Sequence, residues 1–140
     1  MEYKWNTILE SGHKDVDGQH KMLVTALNDL NTALETHRGP AELERMMEFL
    51  SAYTVKHFED EEALQKAYNY PFYLEHKALH EAFKKKVALV SKRLREEKYN
   101  DALMQEVVTI VANWLTNHIK GDDFRMVAYI IKKQAENKHA

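Results

Sequence analysis

The sequence predicts an all-α protein, an antiparallel up-down four-helix bundle with an extended N-terminal arm and a short C-terminal helical segment. Apolar residues recur at helical spacing over most of the chain, and only 4 glycines and 2 prolines occur among its 140 residues. Three short breaks divide this pattern into segments long enough for bundle helices. The length fits one domain over residues 1–140.

The arm precedes the first helix. Residues 1–16 carry too few periodic apolar residues for a helix, and we expect Trp5 to anchor them. The first helix is expected over about residues 17–36. A Gly-Pro pair at 39–40 typically ends one helix and starts the next, so the second helix is expected over about 40–67.

A turn and a capping signal define the other two helices. The turn at 69–71 reads Asn-Tyr-Pro, and the third helix is expected over about 71–96. Either Asn100 or Asp101 is the expected N-cap of the fourth helix. This helix meets a disturbance at Gly121 and continues or restarts beyond it.

The composition excludes several classes of function. Lysine and arginine alternate with aspartate and glutamate and the net charge is only −2, so no nucleic-acid partner is expected. No segment approaches the ~18 consecutive apolar residues of a membrane helix. The N-terminus lacks the apolar region of a signal peptide, so we expect a cytoplasmic protein without a membrane partner. The absence of cysteine excludes disulfides, thiolate metal sites and iron–sulfur clusters.

Six titratable residues occupy inward-facing positions where a helix normally carries apolar residues. They are His20, His57, Glu61, His76, His80 and His118. Because the starts of the first and third helices and the ends of the second and fourth share one pole of an up-down bundle, these side chains should converge. Buried there without compensation, they would cost a sum comparable to the ~5–15 kcal/mol stability of a domain. A bound cation turns this cost of burial into a favourable interaction, so the pattern predicts a metal site.

The donor types narrow the choice of metal. Imidazole with carboxylate suits iron, zinc, copper or nickel, whereas calcium and magnesium prefer oxygen ligands. The spacing of His76 and His80 places two imidazoles on one helical face, and His57 and Glu61 have the same spacing. Five imidazoles exceed the need of one tetrahedral zinc site, so two metals that share carboxylates are the more economical arrangement. The remaining histidines are expected at the surface: His13, His37 and His139.

These residues, in this order and at these separations, resemble the hemerythrin family of histidine-rich, non-haem di-iron oxygen binders. The resemblance covers nearly the whole chain. It rests on Trp5, Asp17-x-Gln19-His20, His57-Phe58-x-x-Glu61-Glu62, Tyr70-Pro71, His76-x-x-x-His80 and Trp114-Leu115-x-x-His118-Ile119-x-x-x-Asp123.

The resemblance implies a seventh metal ligand, Asp123, five residues after His118. α-Helical geometry alone favours Asp122, because a residue at i+4 stays on the same face and one at i+5 rotates away from it. A helix that loosens at Gly121 would reconcile the resemblance with helical geometry. We follow the resemblance in expecting Asp123.

The resemblance further implies two iron ions joined by an oxo or hydroxo bridge. One ion takes His76, His80 and His118, the other takes His20 and His57, and Glu61 and Asp123 bridge both. The iron with two histidines keeps an open position, where dioxygen binds. Four apolar neighbours are expected to exclude water from it: Phe58, Trp114, Leu115 and Ile119.

The expected function is reversible dioxygen binding for oxygen storage, delivery or buffering. One alternative is an oxygen or iron sensor that acts through a separate, unidentified protein partner. Another is a redox enzyme of the peroxidase or nitric oxide reductase type on the same site. No convincing general acid or base is visible beyond the ligands, which favours an oxygen-binding protein over an enzyme. A structural zinc bundle is the remaining alternative.

Overall fold

The computed structural model describes residues 10–138, and this part of the chain forms four long helices and a shorter fifth. The helices are α1 (Lys14–Glu35), α2 (Pro40–Ala67), α3 (Tyr73–Glu97), α4 (Asp101–His118) and α5 (Phe124–Lys138). A π-helical turn, Ile119–Asp123, joins α4 to α5. None of the helices in the described part of the chain is long and apolar enough to cross a membrane.

The first four helices form the bundle that the sequence predicts. α1 packs against α2 and α4, and α3 packs against the same two helices. The connections span residues 36–39, 68–72 and 98–100, which is too short for a return along the bundle. Successive helices are therefore antiparallel, and the predicted fold class is confirmed. Residues 1–9, including Trp5 of the expected arm, lie outside the described residues.

α1 begins earlier than the sequence predicts. Its first residue is Lys14, so the last residues of the expected arm are already helical. The carboxylate of Asp17 accepts hydrogen bonds from the Ser11 amide at 2.9 Å and the Ser11 hydroxyl at 2.7 Å. His13 is the N-cap, since its Nδ1 accepts a hydrogen bond from the Val16 amide at 3.3 Å. These polar contacts replace the missing intrahelical partners, which an apolar pattern does not reveal.

α3 begins two residues later than predicted, at Tyr73. Pro71 and Phe72 lie in a turn, where the Tyr73 amide donates to the Tyr70 carbonyl at 3.2 Å and the His76 amide donates to the Phe72 carbonyl at 2.9 Å. Phe72 is therefore the N-cap, and the proline belongs to the turn and not to the helix.

The other two boundaries agree with the sequence. Gly39 has a φ of 96°, a left-handed conformation that favours glycine, and Pro40 opens α2 directly after it. Asn100 caps α4, because its Oδ1 accepts a hydrogen bond from the Leu103 amide at 2.8 Å.

The apolar core has two parts, and they lie against different sides of the predicted pole. The larger fills the bundle interior and includes Phe58, Leu115 and Ile119. The smaller consists of Val16, Tyr70, Met126, Val127 and Ile130. α5 supplies the last three of these, each 0% exposed. The second part therefore seals the bundle end where the titratable residues are expected.

Candidate metal centre

One end of the bundle holds a buried group of five imidazoles and two carboxylates. The six residues predicted from the inward stripe and Asp123 all lie there, each at most 3% exposed. Their potential ligand atoms form two overlapping groups, each with all atoms within 4.8 Å of one another. The three-histidine group is His76, His80, His118, Glu61 and Asp123; the two-histidine group is His20, His57, Glu61 and Asp123.

The antiparallel bundle brings these residues together from distant parts of the chain. α1 supplies His20 near its start, and α2 supplies His57 and Glu61 near its end. The start of α3 provides His76 and His80, the end of α4 provides His118, and the π-helical turn provides Asp123. The expected convergence at one pole is therefore what the structure has.

The two carboxylates stand between the two histidine groups. Towards the two-histidine group, Glu61 Oε2 lies 3.2 Å from His57 Nε2 and 3.6 Å from His20 Nε2. On the same side, Asp123 Oδ2 lies 2.9 Å from His20 Nε2.

The second oxygen of each carboxylate faces the other group. Glu61 Oε1 is 3.2 Å from His80 Nε2 and 3.5 Å from His76 Nε2. Asp123 Oδ1 is 3.0 Å from His76 Nε2 and 3.1 Å from His118 Nε2. Each carboxylate therefore presents one oxygen to each group, as a ligand that bridges two ions does.

These short distances are mostly not hydrogen bonds. Within residues 10–138, both oxygens of Glu61, Nε2 of His57 and His76, and Oδ1 of Asp123 are buried without a hydrogen-bond partner. Their lone pairs point into shared space and not along a donor bond. Two donors at right angles around one ion, each ~2.1 Å from it, lie about 3 Å apart, which is the separation found here. The donor arrangement therefore fits a metal better than a hydrogen-bonded network.

Three imidazoles are held from behind through Nδ1. The pairs are His57 with Gln19 Oε1 at 2.6 Å, His80 with Glu62 Oε2 at 3.0 Å and His118 with Asp122 Oδ2 at 3.0 Å. A carboxylate only accepts hydrogen bonds, so the imidazole nitrogen that faces Glu62 or Asp122 carries the proton. Gln19 donates through Nε2 to Asp60 at 2.8 Å, which leaves its oxygen as the acceptor for His57.

This hydrogen bonding creates a conflict that a cation resolves. His80 and His118 each donate from Nδ1, so in neutral rings both Nε2 atoms carry lone pairs. These two Nε2 atoms lie only 3.0 Å apart. Facing lone pairs repel unless a proton or a metal ion accepts them both. The same two nitrogens belong to the three-histidine group, so a metal ion there satisfies both at once.

The π-helical turn places the two neighbouring aspartates differently. In this wider turn, residue i+5 returns to the face of residue i, so Asp123 follows His118 onto the pole. Asp123 is 0% exposed and lies within both groups. Asp122 instead accepts from His118 Nδ1 on the outer side of the ring. The geometric preference for Asp122 assumed a continuous α-helix, and that assumption is wrong at residues 119–123.

Gly121→Ala is expected to leave metal loading unchanged and to increase the free energy of unfolding by about 0.4–1 kcal/mol, because alanine favours a helix more than glycine does. A Cβ at this position meets no atom within 4 Å, and the residue has no positive φ. Glycine is therefore not what opens the π-helical turn. Insertion of one alanine after the exposed Lys120, which makes Asp123 the sixth residue after His118, is expected to rotate Asp123 off the pole and abolish loading. Iron per chain measures both variants; impaired loading in Gly121→Ala would contradict this view of the turn.

An aromatic layer separates the cluster from the long core. Phe58 stacks on His80 with ring centroids 3.9 Å apart and an interplanar angle of 4°. Trp114 stacks on His118 at 4.5 Å and 17°, and Phe83 stacks on Trp114 at 3.9 Å. These rings fix the imidazole planes and exclude water from the bundle side of the cluster.

Without a metal, protons take over part of its electrostatic role. Burial lowers the pKa of His20, but its hydrogen bond to Asp123 and the carboxylate of Glu61 outweigh this and raise the pKa to about 9. At His76, burial again lowers the pKa, but the adjacent carboxylates of Asp123 and Glu61 outweigh this and raise the pKa to about 9. Burial raises the pKa of Glu61, yet the nearby imidazoles hold it well below its ordinary value. The carboxylates thus require positive charge, supplied by imidazolium or by metal.

The metal-free protein is expected to lose stability as the pH rises. The pKa values of His20 and His76 increase from 6.5 in the unfolded chain to about 9 in the folded one. Between these values the folded state binds more protons, so the free energy of unfolding decreases from pH 6.5 to 9 by on the order of a few kcal/mol. Thermal unfolding at several pH values measures this.

Two controls make the pH prediction specific. His20→Gln is expected to make the pH dependence clearly less steep, because only His76 then keeps its raised pKa, whereas His37→Gln, which changes an exposed histidine paired with Asp101, is not. Iron-loaded protein should show little change over the same range, because bound metal replaces the protons. An equally steep decrease in the His20→Gln variant would contradict the prediction.

The roles of three residues are not evident from the sequence. Gln19, Glu62 and Asp122 hold imidazoles from the outer side, but each is a polar residue on a half-exposed helical face, where such residues are common. Gln19 and Glu62 belong to the motifs of the family resemblance without an assigned role, and Asp122 is marked by its i+4 spacing from His118. Of the histidines expected at the surface, His37 is exposed and His13 is a half-buried N-cap; His139 lies outside the described residues.

Comparisons with known proteins agree with this centre. The family model described as the hemerythrin HHE cation binding domain matches residues 11–130. A bacteriohemerythrin of Stenotrophomonas maltophilia is 37% identical over 119 residues, which are 85% of this chain and 75% of that protein. A bacteriohemerythrin of Pseudomonas aeruginosa is 34% identical over the same shares. A myohemerythrin of Theromyzon tessulatum is 28% identical over 88% of this chain and 89% of that protein.

Proposed function

Because the chain belongs to the hemerythrin family of non-haem iron, oxygen-binding proteins, we propose that it binds dioxygen reversibly at two iron ions. The proposed role is oxygen storage, delivery or buffering. The observation that carries the proposal is the position of Glu61 and Asp123, each of which turns one oxygen to each of two unequal histidine groups.

The ligand assignment follows the two groups. One iron is held by His76, His80 and His118, the other by His20 and His57, and both by Glu61 and Asp123. The separations of 2.9–4.0 Å between imidazole nitrogens and the facing carboxylate oxygens support this assignment. So does the mixture of imidazole and carboxylate donors, which suits iron.

The two positions are unequal in protein donors. The three-histidine group offers three nitrogens and two oxygens, whereas the two-histidine group offers one nitrogen fewer. An ion in the two-histidine group would therefore have one protein donor fewer, which would leave room for a small ligand. Bound iron would supply the electrons that dioxygen takes up on binding and returns on release.

The chain itself contributes orientation and the exclusion of water. Phe58 and Trp114 lie flat on two imidazoles, and Leu115 and Ile119 are 3% and 1% exposed. This apolar wall disfavours the entry of water and the loss of bound ligand in charged form. The outer hydrogen bonds on Nδ1 hold the imidazole planes, so that no large rearrangement is needed when a ligand enters.

An optical spectrum recorded through one oxygenation cycle tests the proposal. Protein loaded with ferrous iron under argon is exposed to air and then returned to vacuum, with metal-free and zinc-loaded protein as controls. We expect a visible absorption band that forms in air, disappears under vacuum and forms again. Immediate irreversible oxidation would contradict reversible binding. Steady consumption of an added reductant would favour a redox enzyme, and an oxygen-dependent protein complex would favour a sensor.

A further inference from the structure

The outer side of the three-histidine group carries negative charge. His80 Nδ1 donates to Glu62 at 3.0 Å, and His118 Nδ1 donates to Asp122 at 3.0 Å. The Glu62 side chain is 13% exposed and that of Asp122 is 26% exposed, so water screens neither carboxylate fully. Arg125 binds the other oxygen of Asp122, but its side chain is 73% exposed and its charge is largely screened.

The outer side of the two-histidine group is different. His57 Nδ1 donates at 2.6 Å to Gln19, a neutral amide. The carboxylate behind Gln19 is Asp60, one hydrogen bond further away at 2.8 Å from Gln19. Asp60 is exposed and forms an ion pair with Lys56 at 2.9 Å. His80 and His118 are therefore each held by a carboxylate, whereas His57 is held by a neutral amide.

This difference has a chemical consequence for any metal pair held in the cluster. An imidazole that donates Nδ1–H to a carboxylate gains anionic character and becomes a stronger donor through Nε2. A stronger donor, with a carboxylate close behind it, stabilises a trivalent ion more than a divalent one. A ring that donates to an amide gains less. An iron in the three-histidine group, whose imidazoles are backed by Glu62 and Asp122, should therefore lose an electron more easily.

We propose that Glu62 and Asp122 are positioning residues that make the three-histidine iron the first of the two to be oxidised. In the state that has lost one electron, the two-histidine iron then stays ferrous, with Gln19 as its neutral support. The inference rests on the proposed function, since it requires an iron in each group. The two irons then have separate electronic roles. The three-histidine iron is easily oxidised and fully ligated, and the two-histidine iron is open and is oxidised second.

Stepwise oxidation under argon tests the proposal. Ferricyanide takes one electron from a ferrous ion at each step and becomes ferrocyanide, leaving a ferric ion, and spectroelectrochemistry gives the two midpoint potentials. The test variants are Glu62→Gln and Asp122→Asn, which keep a hydrogen-bond acceptor and remove its charge. Gln19→Glu adds a charge to the other side. Glu59→Gln is the matched control, since it removes an exposed carboxylate from the same helix as Glu62.

We expect the variants to act on different steps and in opposite directions. Glu62→Gln and Asp122→Asn should raise the first midpoint potential and leave the second nearly unchanged. Gln19→Glu should lower the second and leave the first nearly unchanged. Each change reduces the difference between the two midpoint potentials, so the comproportionation constant should decrease roughly tenfold in each variant. Glu59→Gln should change neither step.

Several results would overturn the inference. If Glu62→Gln shifted the second step, the three-histidine iron would not be the first oxidised. If Gln19→Glu and Glu62→Gln shifted the potentials in the same direction, their effect would be structural. Loss of iron from Glu62→Gln would show a role in retaining metal and not in setting its potential. Iron per chain is measured first: a wild-type chain without two irons contradicts the proposed function itself, which distinguishes the two failures.

Discussion

Replacing Glu61 by glutamine is expected to abolish loading with two irons. Glutamine has nearly the same size and keeps one oxygen, but it removes the charge and replaces the other oxygen by a donor. Since each Glu61 oxygen faces a different histidine group, one substitution affects both positions. Loss of an outer hydrogen-bond partner costs about 10–100-fold in metal affinity, so loss of a bridging ligand should cost more than roughly 100-fold. Elemental analysis after gel filtration measures the iron retained.

Glu59→Gln is the control for Glu61→Gln. It makes the same change two residues earlier on α2, at an exposed position. We expect this variant to retain two irons per chain. Two irons retained by Glu61→Gln would show that Glu61 is not a shared ligand and would contradict the ligand assignment.

Asp123→Asn should lose iron, whereas Asp122→Asn should retain it. Asp123 is fully buried and its two oxygens lie 2.9 Å from His20 Nε2 and 3.0 Å from His76 Nε2. Asp122 lies outside the His118 ring, where an amide oxygen can still accept the Nδ1 hydrogen bond. We expect loss of both irons in the first variant and at most about a 10–100-fold weaker affinity in the second.

This pair of variants also tests the π-helical turn. The substitutions are chemically identical and lie at adjacent positions, so the effect on overall charge is the same in both. Full loading of Asp123→Asn together with loss of iron from Asp122→Asn would mean that the helix after His118 continues in the α conformation, contrary to the structure.

The sequence predicts most of the fold because its apolar spacing is regular. Few glycines and prolines interrupt it, so the pattern alone separates four helices. The less accurate predictions concern helix starts, where polar contacts such as the Asp17–Ser11 hydrogen bonds decide the first residue. Such contacts have no period, and an apolar pattern cannot reveal them.

The candidate site was predictable to a similar extent and for a related reason. Histidine and glutamate on an inward stripe are energetically costly, so six positions stand out from the sequence alone. Asp123 does not follow from the stripe, because only the π-helical turn brings it to the same face as His118, and it was expected from the family resemblance. Gln19 and Glu62 belong to the motifs of the resemblance, but their support of imidazoles is not predictable, since such a side chain has the same pattern as any other polar surface residue.

Anomalous diffraction at the iron edge from crystals of the iron-loaded protein tests the central claim most directly. We expect two peaks per chain, one among His76, His80 and His118 and the other between His20 and His57. Glu61 and Asp123 should each contribute one oxygen to each peak. A single peak, or none at this cluster in protein that nevertheless contains iron, would contradict the claim that these seven side chains hold a pair of irons.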